Sequence, residues 1–297
     1  MSPLLHSPAH RRPLETPAHL RQVLYAAGAL LVVIGLSATV YAVVGDDERV
    51  PRIVVAPTPA GGTDATPAPP PVGADGPGST TWTYIDRHSG RLTTSPRQAS
   101  TRVTPPLVRL WLAADFLRRE FARAREPGAA RLARLGTMLR DATAATEAPA
   151  DELYATLGRD ASLRRMIAAC GLTETWPAAG RWRATVTSAR DAARIGLCVA
   201  DGRAAGPRWT GWVLAQMRGV RGLGDFGIRA ALPAGAATGV GIANGWLLAE
   251  DEGVWQVTCL AVAPDWVLGV LTRYPRHLGL AHGQELCRTV GAALVRR

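Results

Sequence analysis

The chain has 297 residues, of which 47% are apolar and 20% charged, and a formal net charge of +10. That balance excludes a chain disordered throughout and a transporter with many spans, and it leaves room for one good core and a second lobe. All 34 basic residues are arginine, since the sequence holds no lysine.

An arginine-only balance beside abundant Ala and 31 Gly is what a GC-rich coding sequence produces, and an anionic envelope surface is the other source of such a bias. No aromatic-rich basic motif, zinc-finger spacing or helix-turn-helix pattern accompanies the charge, so no nucleic acid partner is expected.

Residues 1–22 are expected in the cytoplasm. From Val23 to Gly45 the sequence carries no charge, and about 20 apolar residues cross a bilayer, so one spanning helix is expected at 23–45. Arg11, Arg12 and Arg21 precede it and Asp46, Asp47 and Glu48 follow, which keeps the N-terminus inside and exports the rest. A cleaved signal peptide is the competing expectation, because Val40-Tyr41-Ala42 is a passable cleavage site; it exports the same domain. Residues 46–80, rich in Pro, Ala and Gly, are expected to be an extended tether.

Within residues 81–297, Trp82–Asp86 and Arg91–Thr94 around His88-Ser89-Gly90 predict a β-hairpin. After Pro105-Pro106, the spacing of Leu107, Leu110, Trp111, Ala114, Leu117 and Phe121 predicts a buried helix with proline in its first turn. Helical stretches follow at 132–139 and 153–170, and Thr187 or Ser188 should cap another running through 192–199. Strands are predicted at 240–248, 254–262 and 266–272, with a last helix bearing Cys287, Val290, Gly291 and Leu294 on one face. The expected fold is an α+β sandwich: a five-stranded antiparallel sheet built from both ends of the domain, flanked by helices, with an all-helical lobe inserted at about 104–224. A ligand cleft would lie between the lobes.

Cys170, Cys198, Cys259 and Cys287 all fall in the exported part, where disulfides persist, and four cysteines allow three pairings. Cys170 with Cys198 and Cys259 with Cys287 is the expected set; buried free thiols are the alternative. The cysteines are too widely spaced for a zinc site and the domain holds only His88, His277 and His282, so neither a metal nor a cofactor is expected.

Three segments in this order resemble the class A β-lactamase and D-alanyl-D-alanine peptidase superfamily. The stretch 104–117 is similar to the helix that opens with the nucleophile in Ser-x-x-Lys, which puts Pro106 at the serine and Arg109 at the lysine. The stretch 138–145 resembles the Ser-Asp-Asn region and puts Ala142, Thr143 and Ala144 there. The stretch 239–246 resembles the Lys-Thr-Gly strand, with Ala243 and Asn244 at the first two positions and Gly245 kept. Glu174 lies in no Glu-x-x-x-Asn pattern of the kind those lactamases use for deacylation and is expected to be a solvated loop residue.

The resemblance implies acyl transfer by a serine hydroxyl, a base that takes its proton and two backbone N–H groups for the oxyanion. Proline at 106 supplies neither hydroxyl nor N–H. Arg109 cannot act as a base, because guanidinium stays protonated and has no acceptor lone pair. Loss of both groups costs roughly a million-fold in turnover, about 8 kcal/mol of barrier. Ser89, Ser95, Ser100, Ser162 and Ser188 sit in no nucleophile motif, and His88 beside Ser89 fits a solvated turn.

The expectation is a membrane-anchored, catalytically inactive module that binds a peptidoglycan fragment or an envelope protein, with Arg109, Asn244, Gly245 and Trp246 as the ligand-binding set. The alternative is an active serine hydrolase with another nucleophile.

Overall fold

The computed structural model describes residues 78–141 and 143–295, all within one compact unit, Ala65–Arg297. The expected spanning helix at 23–45 and the tether up to residue 77 lie outside the described residues. Among those described, no helix is long and apolar enough to cross a membrane.

The domain opens with the predicted hairpin, β1 (Ser79–Asp86) and β2 (Leu92–Thr94), so its first strand begins two residues before the expected boundary at 81. Asp86 Oδ1 accepts the N–H groups of His88 and Ser89, both at 2.9 Å, and this closes the turn. A short β3 (Thr101–Val103) leads into α1 (Pro105–Ala122). Eleven of the 18 residues of α1 are buried, as suits a helix apolar on nearly all sides that threads the centre of a core.

Next come α2 (Ala129–Arg140), α3 (Glu147–Thr156) and α4 (Asp160–Cys170). The single stretch expected at 153–170 is broken between α3 and α4, where Gly158 and Arg159 both take positive φ. Then β4 (Thr175–Ala178) and β5 (Arg181–Ser188) precede α5 (Ala189–Ala200), α6 (Pro207–Arg218) and a one-turn α7 (Ala234–Ala237). Ser188 caps α5 as expected, its Oγ accepting the Asp191 N–H at 3.0 Å.

The inserted lobe is not all-helical. β3, β5 and β4 form a three-stranded antiparallel sheet beside the helices, in that order. The reason is visible in β5, where Trp182 is buried between the exposed Arg181 and Arg183, Thr185 and Thr187 are buried on either side of Val186, and Thr and Val favour a strand.

The chain ends with β6 (Gly241–Ala249), β7 (Val254–Val262), β8 (Trp266–Pro275) and α8 (Gly279–Leu294). The main sheet runs β2-β1-β8-β7-β6 and is antiparallel throughout, so the predicted union of the first and last strands forms. Helix α5 packs on one face of it. A Cβ on Gly269 of β8 would come within 3.0 Å of the Ala189 carbonyl oxygen, so the close approach requires glycine there. Helix α8 covers the other face, and two apolar clusters result, one around Trp111 of α1 and one around Val257 and Tyr274 beneath α8.

Both expected disulfides are formed. Cys170–Cys198 ties α4 to α5 with Cα atoms 5.2 Å apart, and Cys259–Cys287 ties β7 to α8 at 6.3 Å.

Candidate functional site

The first turn of α1 faces the edge strand β6. Pro105 and Pro106 occupy the first two helical positions, where the N–H groups have no intrahelical partner, so the helix loses no hydrogen bond by their absence. The Pro106 ring lies directly over Gly245: a Cβ on that glycine would stand 2.9 Å from Pro106 Cγ. The two positions are therefore in contact.

One helical turn on, Arg109 is buried, with 9% of its surface exposed. Its Nη1 donates to Thr146 Oγ1, which in turn donates to the Thr143 carbonyl at 2.8 Å. Asp141 Oδ1 accepts the Thr143 N–H at 2.8 Å, so Asp141, Thr143 and Thr146 between α2 and α3 are linked to α1. Burial pushes the Arg109 guanidinium pKa down, and the charges of Glu147 and Asp141 oppose that shift.

The hydroxyl that faces Arg109 therefore belongs to Thr146 and not to the Ala142–Ala144 segment that sequence spacing selects. Thr143 contributes only backbone, and Ala142 lies outside the described residues. Thr146 escaped sequence reasoning because the length of the α2–α3 loop decides which residue meets α1; its only sequence cue is a hydroxyl ahead of Glu147.

On β6, Ala243 brings no functional group. Asn244, 5% exposed, turns its amide away from open space, donating from Nδ2 to the carbonyls of Gly224 at 3.0 Å and Phe226 at 2.9 Å. It holds the glycine-rich 222–226 loop against the sheet, while its Oδ1 is buried without a partner. Trp246 is half-buried, its ring 6.1 Å from that of Phe226.

The space left between α1, the 138–141 turn, α6 and β6 is about 20 Å³, lined by Pro106, Arg109, Asp141, Met217, Ala243 and Asn244. That is room for about one water molecule. A covalent acyl donor needs far more. Of the four residues predicted to bind ligand, Arg109 gives Nη1 to Thr146, Asn244 spends both amide donors within the fold, Gly245 lies under Pro106 and Trp246 leans on Phe226.

Glu174 is not solvated. It is 8% exposed, accepts from Ser188 Oγ at 2.6 Å and forms an ion pair with Arg190. Its neighbour Thr175 donates to Asp191 Oδ2 at 2.9 Å, so this carboxylate cluster pins β4 to the start of α5. The partners of Glu174 lie 14 and 16 residues further on, which a local motif search does not reach. Glu174 lines no part of the cleft. Among the described residues no group of His, Cys, Asp and Glu is arranged to hold a metal ion.

A five-stranded antiparallel sheet formed from both chain ends, a helix running from the cleft through the core and an edge strand beside that helix's first turn define the penicillin-recognising serine hydrolase fold. Solved structures bear this out at low identity. A PBP-A structure matches with a TM-score of 0.58 and 16% identity over 75% of this chain and 91% of that one. A class A β-lactamase from Mycobacterium abscessus matches with 0.57 and 14% over 74% and 94%. A β-lactamase from Sphaerobacter thermophilus matches with 0.57 and 18% over 74% and 90%. No protein-family model and no curated protein matches the sequence.

Proposed function

We propose that this chain is a catalytically inactive member of the penicillin-recognising fold, held at the cell membrane by residues 23–45 with its domain outside, where it serves as a binding or scaffold module for a peptidoglycan fragment or an envelope protein. The observation that carries this reading is Pro106 seated on Gly245, at the place where an acyl-transfer enzyme of this fold would need a hydroxyl. Arg109, at the position of the base, is a hydrogen-bond donor with nothing to accept a proton.

One hydroxyl does stand behind the cleft wall, against Arg109, and it supports the competing enzyme reading. Thr146 Oγ1 lies beside the Arg109 cation, which would favour an alkoxide. Yet its proton is directed to the Thr143 carbonyl, and it is 2% exposed. The filled cleft moves the partner surface of the module away from the acyl-transfer groove and onto the outer faces of the domain.

Incubation of the full chain in detergent with fluorescent penicillin and with nitrocefin tests the reading. Unchanged intact mass and no nitrocefin turnover are expected. A covalent adduct, on Thr146 or on any serine, would establish the enzyme instead.

A further inference from the structure

A second cavity, of about 460 Å³, opens between α3, the turn leading into α4 and the β4–β5 hairpin, and it shares no lining residue with the cleft. Its size falls in the range of small-molecule sites, roughly 300–1,000 Å³. Three arginines stand around it: Arg159 in the turn, and Arg181 and Arg183 on β5.

The acidic groups at this place are already committed to the fold. Asp151 accepts from Trp182 Nε1 and from Arg183 Nη2, both at 2.7 Å. Asp160 accepts from the Tyr154 hydroxyl and from the Gly180 N–H, the latter at 3.1 Å. Arg183 is paired further with Glu147 at 3.2 Å. Arg159 and Arg181, by contrast, make no side-chain hydrogen bond or ion pair among the described residues. Two guanidinium groups without a hydrogen-bonded or ion-paired partner therefore border one cavity, Arg159 acting on Asp160 and Tyr154 only through its charge, while the carboxylates there accept from other donors.

Arg159 is also held at φ +53° and ψ −124°, a conformation natural to glycine and costly for a side chain with a Cβ. A glycine would sit there with less strain, so arginine at this position costs stability.

We propose that this cavity binds a small organic phosphate monoester through Arg159 and Arg181. Guanidinium forks match phosphoryl and carboxylate oxygens alike. A phosphate monoester carries close to two negative charges near neutral pH, which answers two free cations, whereas a carboxylate or a sulfate ester answers one. Ala155 and Ala184 give the remainder of the ligand an apolar wall. The site does not depend on the chemistry of the cleft.

The test titrates the full chain in detergent with glucose 6-phosphate, and with glucose 6-sulfate for comparison, by calorimetry. The phosphate should bind at least tenfold more tightly than the sulfate. Arg181→Gln and Arg159→Gly should each weaken it at least tenfold, and Arg159→Gly should do so while raising the melting temperature, which separates lost binding from lost folding. A control pair far from the cavity, Arg276→Gln with Arg288→Gln, should leave affinity unchanged. No binding of glucose 6-phosphate, equal binding of the sulfate, or an equal loss in the control pair overturns the proposal, the last two by showing only diffuse attraction to a basic surface.

Discussion

Pro106 and Gly245 are packed ring against backbone, with only 2.9 Å between Pro106 Cγ and the position a Cβ on Gly245 would take. The pair brings α1 against β6 without cost to the helix, whose second position has no hydrogen bond to lose. Because the pyrrolidine ring cannot swing aside, Gly245→Ala must displace α1 or β6. A loss of about 1–3 kcal/mol is expected in urea unfolding. The same change beside Pro106→Ala should cost clearly less, and this non-additivity is the signature of direct contact.

On the proposed reading, a hydroxyl at the head of α1 is not enough for acyl transfer. Pro106→Ser places an alcohol at the head of α1, but Arg109, one turn on, stays protonated, and the Asp141 carboxylate that lines the same space already accepts the Thr143 N–H. Intact mass spectrometry after hours with penicillin should show no adduct. An adduct on Ser at 106 would mean that another group in the cleft accepts the proton.

The long-range frame was legible in the sequence because it rests on strong periodic signals. The spacing from Leu107 to Leu117 predicted α1, apolar runs bounded by turns predicted β6 to β8, and the expected cysteine pairing, one of three possible, is the one that forms. Contacts made by loops were not legible. Thr146 meets Arg109 only through the length of the α2–α3 loop, and Glu174 is buried by Ser188 and Arg190 across a hairpin that arginine-rich composition hides. The small β3-β5-β4 sheet was missed for the same reason, since β3 and β4 are short and β5 buries Trp182, Thr185 and Thr187 without a regular alternation.

The inserted lobe hangs on a buried carboxylate. Asp115 in α1 is fully buried and accepts from Ser162 Oγ at 2.9 Å, Arg118 Nη2 at 2.6 Å and Arg165 Nη2 at 2.5 Å, joining α1 to α4. Asp115→Ala leaves two cations facing one another. Breaking a buried pair costs about 3–5 kcal/mol, and since both arginines reach solvent the lower end is expected, near 3 kcal/mol. Asp115→Asn, which keeps one acceptor, should lose less. A midpoint in urea unchanged by Asp115→Ala would show that the arginines alone hold the helices apart at no cost.

Alkaline stability should report the hydroxyl of Tyr154. Its pKa is pushed up to about 12, first by burial and then by the hydrogen bond it donates to Asp160. A raised folded-state pKa means that, above the ordinary value of 10, the unfolded chain releases this proton while the folded one retains it. The unfolded state then binds fewer protons, so stability must fall with rising pH. The contribution is complete below pH 10 and is lost as pH climbs through about 12. Tyr84 and Tyr274 are raised as well, so the wild-type curve mixes three groups. The difference between wild type and Tyr154→Phe isolates one: the variant should be less stable at neutral pH, having lost its bond to Asp160, and the gap should narrow between pH 10 and 12. A gap constant over that interval would place the Tyr154 proton outside the folding equilibrium and remove the link between α3 and the first turn of α4.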